Sequence, residues 1–175
     1  MTRITLQLRG SKSSELGPQA AEQLFSALPE TKRSALPFSQ PEALAFEIIS
    51  INQTTHFQIN IPEEHEHYIK SQVHAAYPET LINPAPPDTF NFPSFMQGSI
   101  AATTLKLAHG SFYPLRTHKD FSETDPLSTT LGILAKLPST QAALIQILVS
   151  SATDSWKNKG HQVAALRPAS KRTGR

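Results

Sequence analysis

The run from Ala45 to Ile82, AFEIISINQTTHFQINIPEEHEHYIKSQVHAAYPETLI, constrains the fold more than any other part of the chain, because its hydrophobic period switches from strand to helix and back. Phe46 and Ile48 share one face of a first strand, and Phe57, Ile59 and Ile61 alternate with His56, Gln58 and Asn60 in a second. That period of two is the mark of half-buried strands. The Asn52-Gln53-Thr54-Thr55 break between them predicts a hairpin. Pro62 suits a first helical position, where a missing N–H costs nothing, and Glu63 and Glu64 place negative charge at the positive end of a helix dipole. Tyr68, Ile69, Val73, Ala76 and Tyr77 then form one apolar stripe, which Pro78 stops.

The residues before this run extend the same plan. Ile4, Leu6 and Leu8 oppose Arg3, Thr5 and Gln7 in a strand with one wet face, ended by Gly10. Gly17-Pro18 opens a helix striped by Ala21, Leu24, Phe25 and Leu28 and closed by Pro29. The segment 30–40 has Pro37, several charges and no period, so it reads as a loop. Residues 1–83 therefore read β-α-β-β-α-β, the ferredoxin-like plan of an α+β chain, in which two helices cover one face of an antiparallel sheet.

Pro84, Pro86, Pro87 and Pro93 predict an extended connector over 84–98. A second α+β unit is expected over 99–166. It opens with a strand from Thr103 to Leu107, a turn from Ala108 to Ser111 that includes Gly110, and a returning strand from Phe112 to Thr117 whose Pro114 puts it at an edge. Asp125-Pro126 starts a helix with Leu127, Leu131 and Leu134 on its apolar face, flanked by Thr130, Ile133 and Leu137, and Pro138 ends it. The nearly continuous apolar run from Gln141 to Ser150 calls for cover on both faces, hence a central strand. A last helix from Asp154 carries Trp156, Gly160 and Val163 on one side. This β-β-α-β-α order is one strand short of a second ferredoxin-like unit, so either the halves share a sheet or the natural sequence continues past Arg175.

At 175 residues the chain can build a substantial core without cross-links, and with no cysteine it has neither a disulfide framework nor a thiolate metal site. A hydrophobic content of 38% with 14 prolines implies a modest core and long connections. The net charge of +2 conceals a basic tail over 167–175, where Arg167, Lys171, Arg172 and Arg175 meet no acid; it reads as a disordered end. No apolar run reaches the roughly 18 residues that span a bilayer. The opening MTRITLQLRG lacks the apolar centre of a secretion signal, so the expectation is a soluble, unexported polypeptide with no membrane insertion of its own.

Reactive chemistry is hard to find. His65 and His67 in EEHEH are two apart and point about 200° from one another on a helix, so they cannot grip one ion as an HExxH pair does. His67 and His74 share a face but are separated by about 10 Å of rise. There is no GxSxG elbow, and the 7 glycines assemble into neither GxxxxGK[ST] nor GxGxxG. Asp120, Glu123 and Asp125 read as helix-capping carboxylates, and Phe46 and Phe57 as core residues rather than base-stacking platforms. Trp156 reads as packed on its own domain, with an interface anchor as the other role. No catalytic, cofactor-binding or metal residue is assigned, no cofactor or small-molecule substrate is expected, and the chain reads as non-enzymatic.

Three stretches, GPQAAEQLFSAL at 17–28, FEIISINQTTHFQINIPEEHEHYIKSQVHAAYPETLI at 46–82 and PLRTHKDFSETDPLSTTLGILAKL at 114–137, carry a family resemblance. They resemble the uncharacterised region that precedes the motor in bacterial type IV secretion, TraD/TraG/VirD4-like coupling proteins. The resemblance implies a cytoplasmic accessory domain at the inner face of the membrane, with a motor ATPase or secretion machinery as protein partner and self-association around a motor ring. It brings no site residue, membrane helix or Walker motif to this chain. The sheet edge near Pro114 and the helix at 62–77 are the contact surfaces expected. The alternative is a stand-alone nucleic-acid-binding module that uses the basic tail.

Overall fold

The computed structural model describes residues 2–11, 17–31, 42–85, 99–120 and 126–166. Its strands are β1 (Arg3–Arg9), β2 (Leu44–Ile51), β3 (Thr54–Pro62), β4 (Leu81–Pro84) and β5 (Ala143–Val149). Its helices are α1 (Pro18–Ser26), α2 (Glu66–Ala76), α3 (Pro126–Leu134) and α4 (Ser155–Leu166). The strands form one 5-stranded sheet in the order β4-β1-β3-β2-β5, with every neighbouring pair antiparallel. The first four reproduce the ferredoxin-like order, and β5 extends the sheet beyond β2. The fold is α+β, and the two halves of the chain share a sheet.

Register follows the hydrophobic pattern. Leu6 pairs with Ile59, Ile4 with Ile61, and Phe46 with Ile59, so the apolar members of β1, β2 and β3 lie on one face. A slip of one residue would turn that whole set outward, which pins the pairing. α1 contributes Leu24 and α2 contributes Ile69, Val73 and Ala76 to the cluster on this face, together with Leu6, Leu44, Ile59 and Ile61. Phe25 of α1 meets Phe46 edge-on with ring centroids 5.1 Å apart, a geometry that aromatic quadrupoles favour. Tyr68 is half exposed because its hydroxyl reaches out to donate to the Ala27 carbonyl at 2.8 Å, tying α2 to the end of α1.

The β2–β3 connection is a two-residue hairpin whose residues both have positive φ, Asn52 at 50° and Gln53 at 60°. This is the type I′ geometry that matches the twist of paired strands. Pro62 stays in β3 opposite Arg3 instead of opening the helix. A 3₁₀ turn, Glu63–His65, intervenes before α2 starts at Glu66, and the Glu63 N–H donates to the Thr2 carbonyl at 3.1 Å. Proline is tolerated there because it ends the strand, where the next residue supplies the bond.

The second half departs further from expectation. Thr103–Leu107 and Phe112–Thr117 are not strands. Their alternation is present, but neither segment pairs with any of the five strands, and without a ladder partner an alternating segment does not become a strand. The edge expected near Pro114 therefore does not exist. The run expected as a central strand is an edge, with no strand beyond it among the described residues. α3 begins at Pro126 as its sequence predicts. The Ser50 hydroxyl, fully buried, donates to the Leu134 carbonyl at 2.8 Å and fastens the end of α3 to β2. At the other end of β5, Thr31 and Ser151 bond reciprocally, each backbone N–H donating to the other's hydroxyl, at 2.8 and 2.9 Å. Most of the connector (86–98), the 32–41 loop and the basic tail (167–175) lie outside the described residues.

Candidate interaction surface

Edge strands usually carry a charge, a proline or a bulge that discourages pairing. β4 has such protection: it is short and ends at Pro84. β5 has none, since ALIQILV contains no charge, proline or glycine. On the sheet face shared with Phe46, Ile147 is 61% exposed; on the other, Leu144 and Leu148 are 44% and 65% exposed. Gln146 sits between them and donates to Glu47 Oε1 at 2.7 Å.

The flanking segments continue the pattern. Leu134 anchors α3 in the interior, while Leu127 and Ile133 are turned to solvent. Leu105 is 92% exposed, so the extended stretch where a strand is expected projects its apolar side chains away from the body. α4 packs through Gly160, where an added Cβ would lie 3.5 Å from Phe112 Cβ. Trp156 is half exposed and borders an open groove of about 510 Å³ with Ser111, Ala152, Thr153 and Ser155. The helix of Trp156 packs on Phe112, and its indole borders the groove.

The sheet face away from α1 and α2 carries a polar row through its centre. Register aligns Asn83, Gln7, Gln58, Glu47 and Gln146 in one row across all strands. Gln58 is buried at the centre, while Asn60 accepts from Arg3 Nε at 2.6 Å and donates to the Thr5 hydroxyl at 2.8 Å. Gln7 Nε2 lies 2.6 Å from His56 Nδ1, the contact of an amide N–H with an unprotonated ring nitrogen. Burial, followed by the nearby Arg9 charge, holds the His56 pKa below its ordinary 6.5. The described strands place no Phe, Tyr or Trp on this face, whereas base-stacking ferredoxin-like sheets need aromatics there. Phe46 and Phe57 lie on the opposite face, where Phe46 packs against the core and Phe57, expected in the core, is 43% exposed.

The histidines singled out by sequence separate. His67 and His74 are exposed on α2, and His65 belongs to the 3₁₀ turn. The fold brings Glu42 beside Glu64 and His65, with ligand atoms within 4.8 Å of one another. Two carboxylate oxygens and an imidazole nitrogen are a donor set suited to a divalent transition metal. Sequence spacing could not reveal this trio, because Glu42 arrives from the far side of the β2–β3 hairpin. Asp120 accepts from the Thr117 N–H at 2.6 Å and closes a short 3₁₀ turn, His118–Asp120, while Glu123 and Asp125 lie outside the described residues. No described helix is long and apolar enough to cross a membrane.

No curated protein and no solved structure matches the chain. A family described as a domain of unknown function (DUF8128) matches residues 2–172, and the chain belongs to that family.

Proposed function

We propose that this chain is a non-catalytic interaction domain of a bacterial type IV secretion or conjugation-like coupling protein, working at the cytoplasmic side of the membrane beside a motor ATPase. The observation that supports a contact role is the exposure of large apolar side chains through the second half, from Leu105 at 92% to Leu148 at 65%. Each exposed leucine or isoleucine forgoes about 1.5–3 kcal/mol that burial would supply. Residues set along one unprotected edge and one helix recover that energy when a partner covers them. The motor as partner rests on the likeness of 17–28, 46–82 and 114–137 to the region preceding the motor in coupling proteins.

Titrating the purified motor ATPase onto the chain tests the reading. Leu127→Lys and Ile133→Lys change solvent-facing positions of α3, 50% and 63% exposed, so the fold is expected to survive, as circular dichroism can verify. Each is expected to weaken motor binding at least about tenfold, the effect of losing one well-buried apolar anchor. Unchanged affinity in both variants, or no binding by the parent chain, would overturn the reading.

A further inference from the structure

Resting on the reading of this chain as an interaction domain, we infer that the free edge of β5 takes a second copy of the same chain, paired strand to strand about a two-fold axis at Gln146. The observation is a symmetry of sequence. ALIQILV, from Ala143 to Val149, reads almost the same in both directions. An antiparallel pair centred on Gln146 sets that residue against the second copy's Gln146, Ile145 against Ile147, Leu144 against Leu148, and Ala143 against Val149. A two-fold interface requires one surface to complement itself, and reversal symmetry along an edge strand meets this requirement residue by residue. Binding an unrelated peptide would place no such demand on the sequence.

The structure leaves room for the pairing. β2 occupies one side of β5, and no strand lies on the other among the described residues. Ile147 on one face, with Leu144 and Leu148 on the other, is exposed where the second copy's side chains would stand. Gln146 already donates to Glu47, which leaves its carbonyl oxygen to accept from the second copy's Gln146. The result is a continuous sheet running through both copies. One strand seam is smaller than a standard interface of about 1,600 Å², so the affinity is expected in the micromolar range.

The chain has no cysteine, so single cysteines report register directly. In the proposed pair the Gln146 Cα atoms lie about 4.5–5.5 Å apart, inside the span of about 4.4–6.8 Å that a disulfide bridges. Two copies of Leu148 are offset by about 13 Å along the strands, too far to bridge. Under mild oxidation Gln146→Cys is expected to form interchain disulfides at least tenfold faster than Leu148→Cys, and adding Ile147→Lys to Gln146→Cys is expected to slow it at least tenfold. Equal rates for the two cysteines, or a chain that sediments as a monomer at about 200 µM, well above a micromolar Kd, would overturn the self-pairing. If that happens while the motor titration still responds to Leu127→Lys, the interaction reading stands alone; if the titration fails as well, both fall.

Discussion

Replacing Ser50 by alanine isolates the side-chain bond that fastens the end of α3 onto β2. Ser50 is fully buried at the end of β2, and its hydroxyl donates to the Leu134 carbonyl at 2.8 Å. That carbonyl belongs to the last turn of α3, and it also accepts a longer bond from the Leu137 N–H at 3.3 Å. Ser50→Ala removes one oxygen, creates almost no cavity and leaves the carbonyl with its longer bond from Leu137. The net loss of such a bond is about 1 kcal/mol. For a domain of this size that corresponds to a fall in Tm of about 2–4 °C. Urea unfolding followed by circular dichroism measures the loss, and hydrogen exchange over 126–134 localises it. A change below about 0.3 kcal/mol, within ordinary surface-substitution scatter, would refute the claim that this bond fastens α3.

Other consequences can be checked on the same chain. Gln53→Gly should stabilise it by about 1 kcal/mol, because Gln53 holds φ at 60° in a type I′ turn that favours Asn-Gly; destabilisation would mean the side chain contributes more than the turn geometry. Leu6→Ala, at 0% exposure in the middle of the core cluster, should cost about 2–5 kcal/mol in urea unfolding. His56 has a folded pKa below its unfolded value, so the unfolded chain binds the proton first as pH falls. The stability linked to His56 is therefore fully present above the ordinary 6.5 and is lost as pH drops from there through the lower folded value. His56→Gln should flatten that part of the stability-pH curve, and an unaltered slope would remove His56 as its source.

The first half of the fold was legible because each element is both patterned and punctuated. Alternation in β1 and β3, the stripe of α2, and the stops at Pro29 and Pro78 all agree with the sheet that forms. Pro62 was misplaced because the same residue suits a strand end and a helix start, and only the Glu63 bond to Thr2 decides between them. The alternation at Thr103–Leu107 was real but insufficient, since a strand is a relation to a neighbour and this segment pairs with none of the five strands. β5 misled for the opposite reason. An uninterrupted apolar run signals cover on both faces, and this chain folds with those faces open. The pattern is consistent with a partner outside the chain. The Glu42, Glu64 and His65 trio was invisible because topology, not spacing, assembles it.

Hydrogen exchange of the chain with and without the motor ATPase tests the central claim most directly. The account predicts slowing of at least about tenfold at amides in α3 and α4, where an occupied surface suppresses local opening, with the β1–β3 core unchanged. Protection confined to α2 or to the polar sheet face, with 126–166 unaffected by the motor, would contradict it.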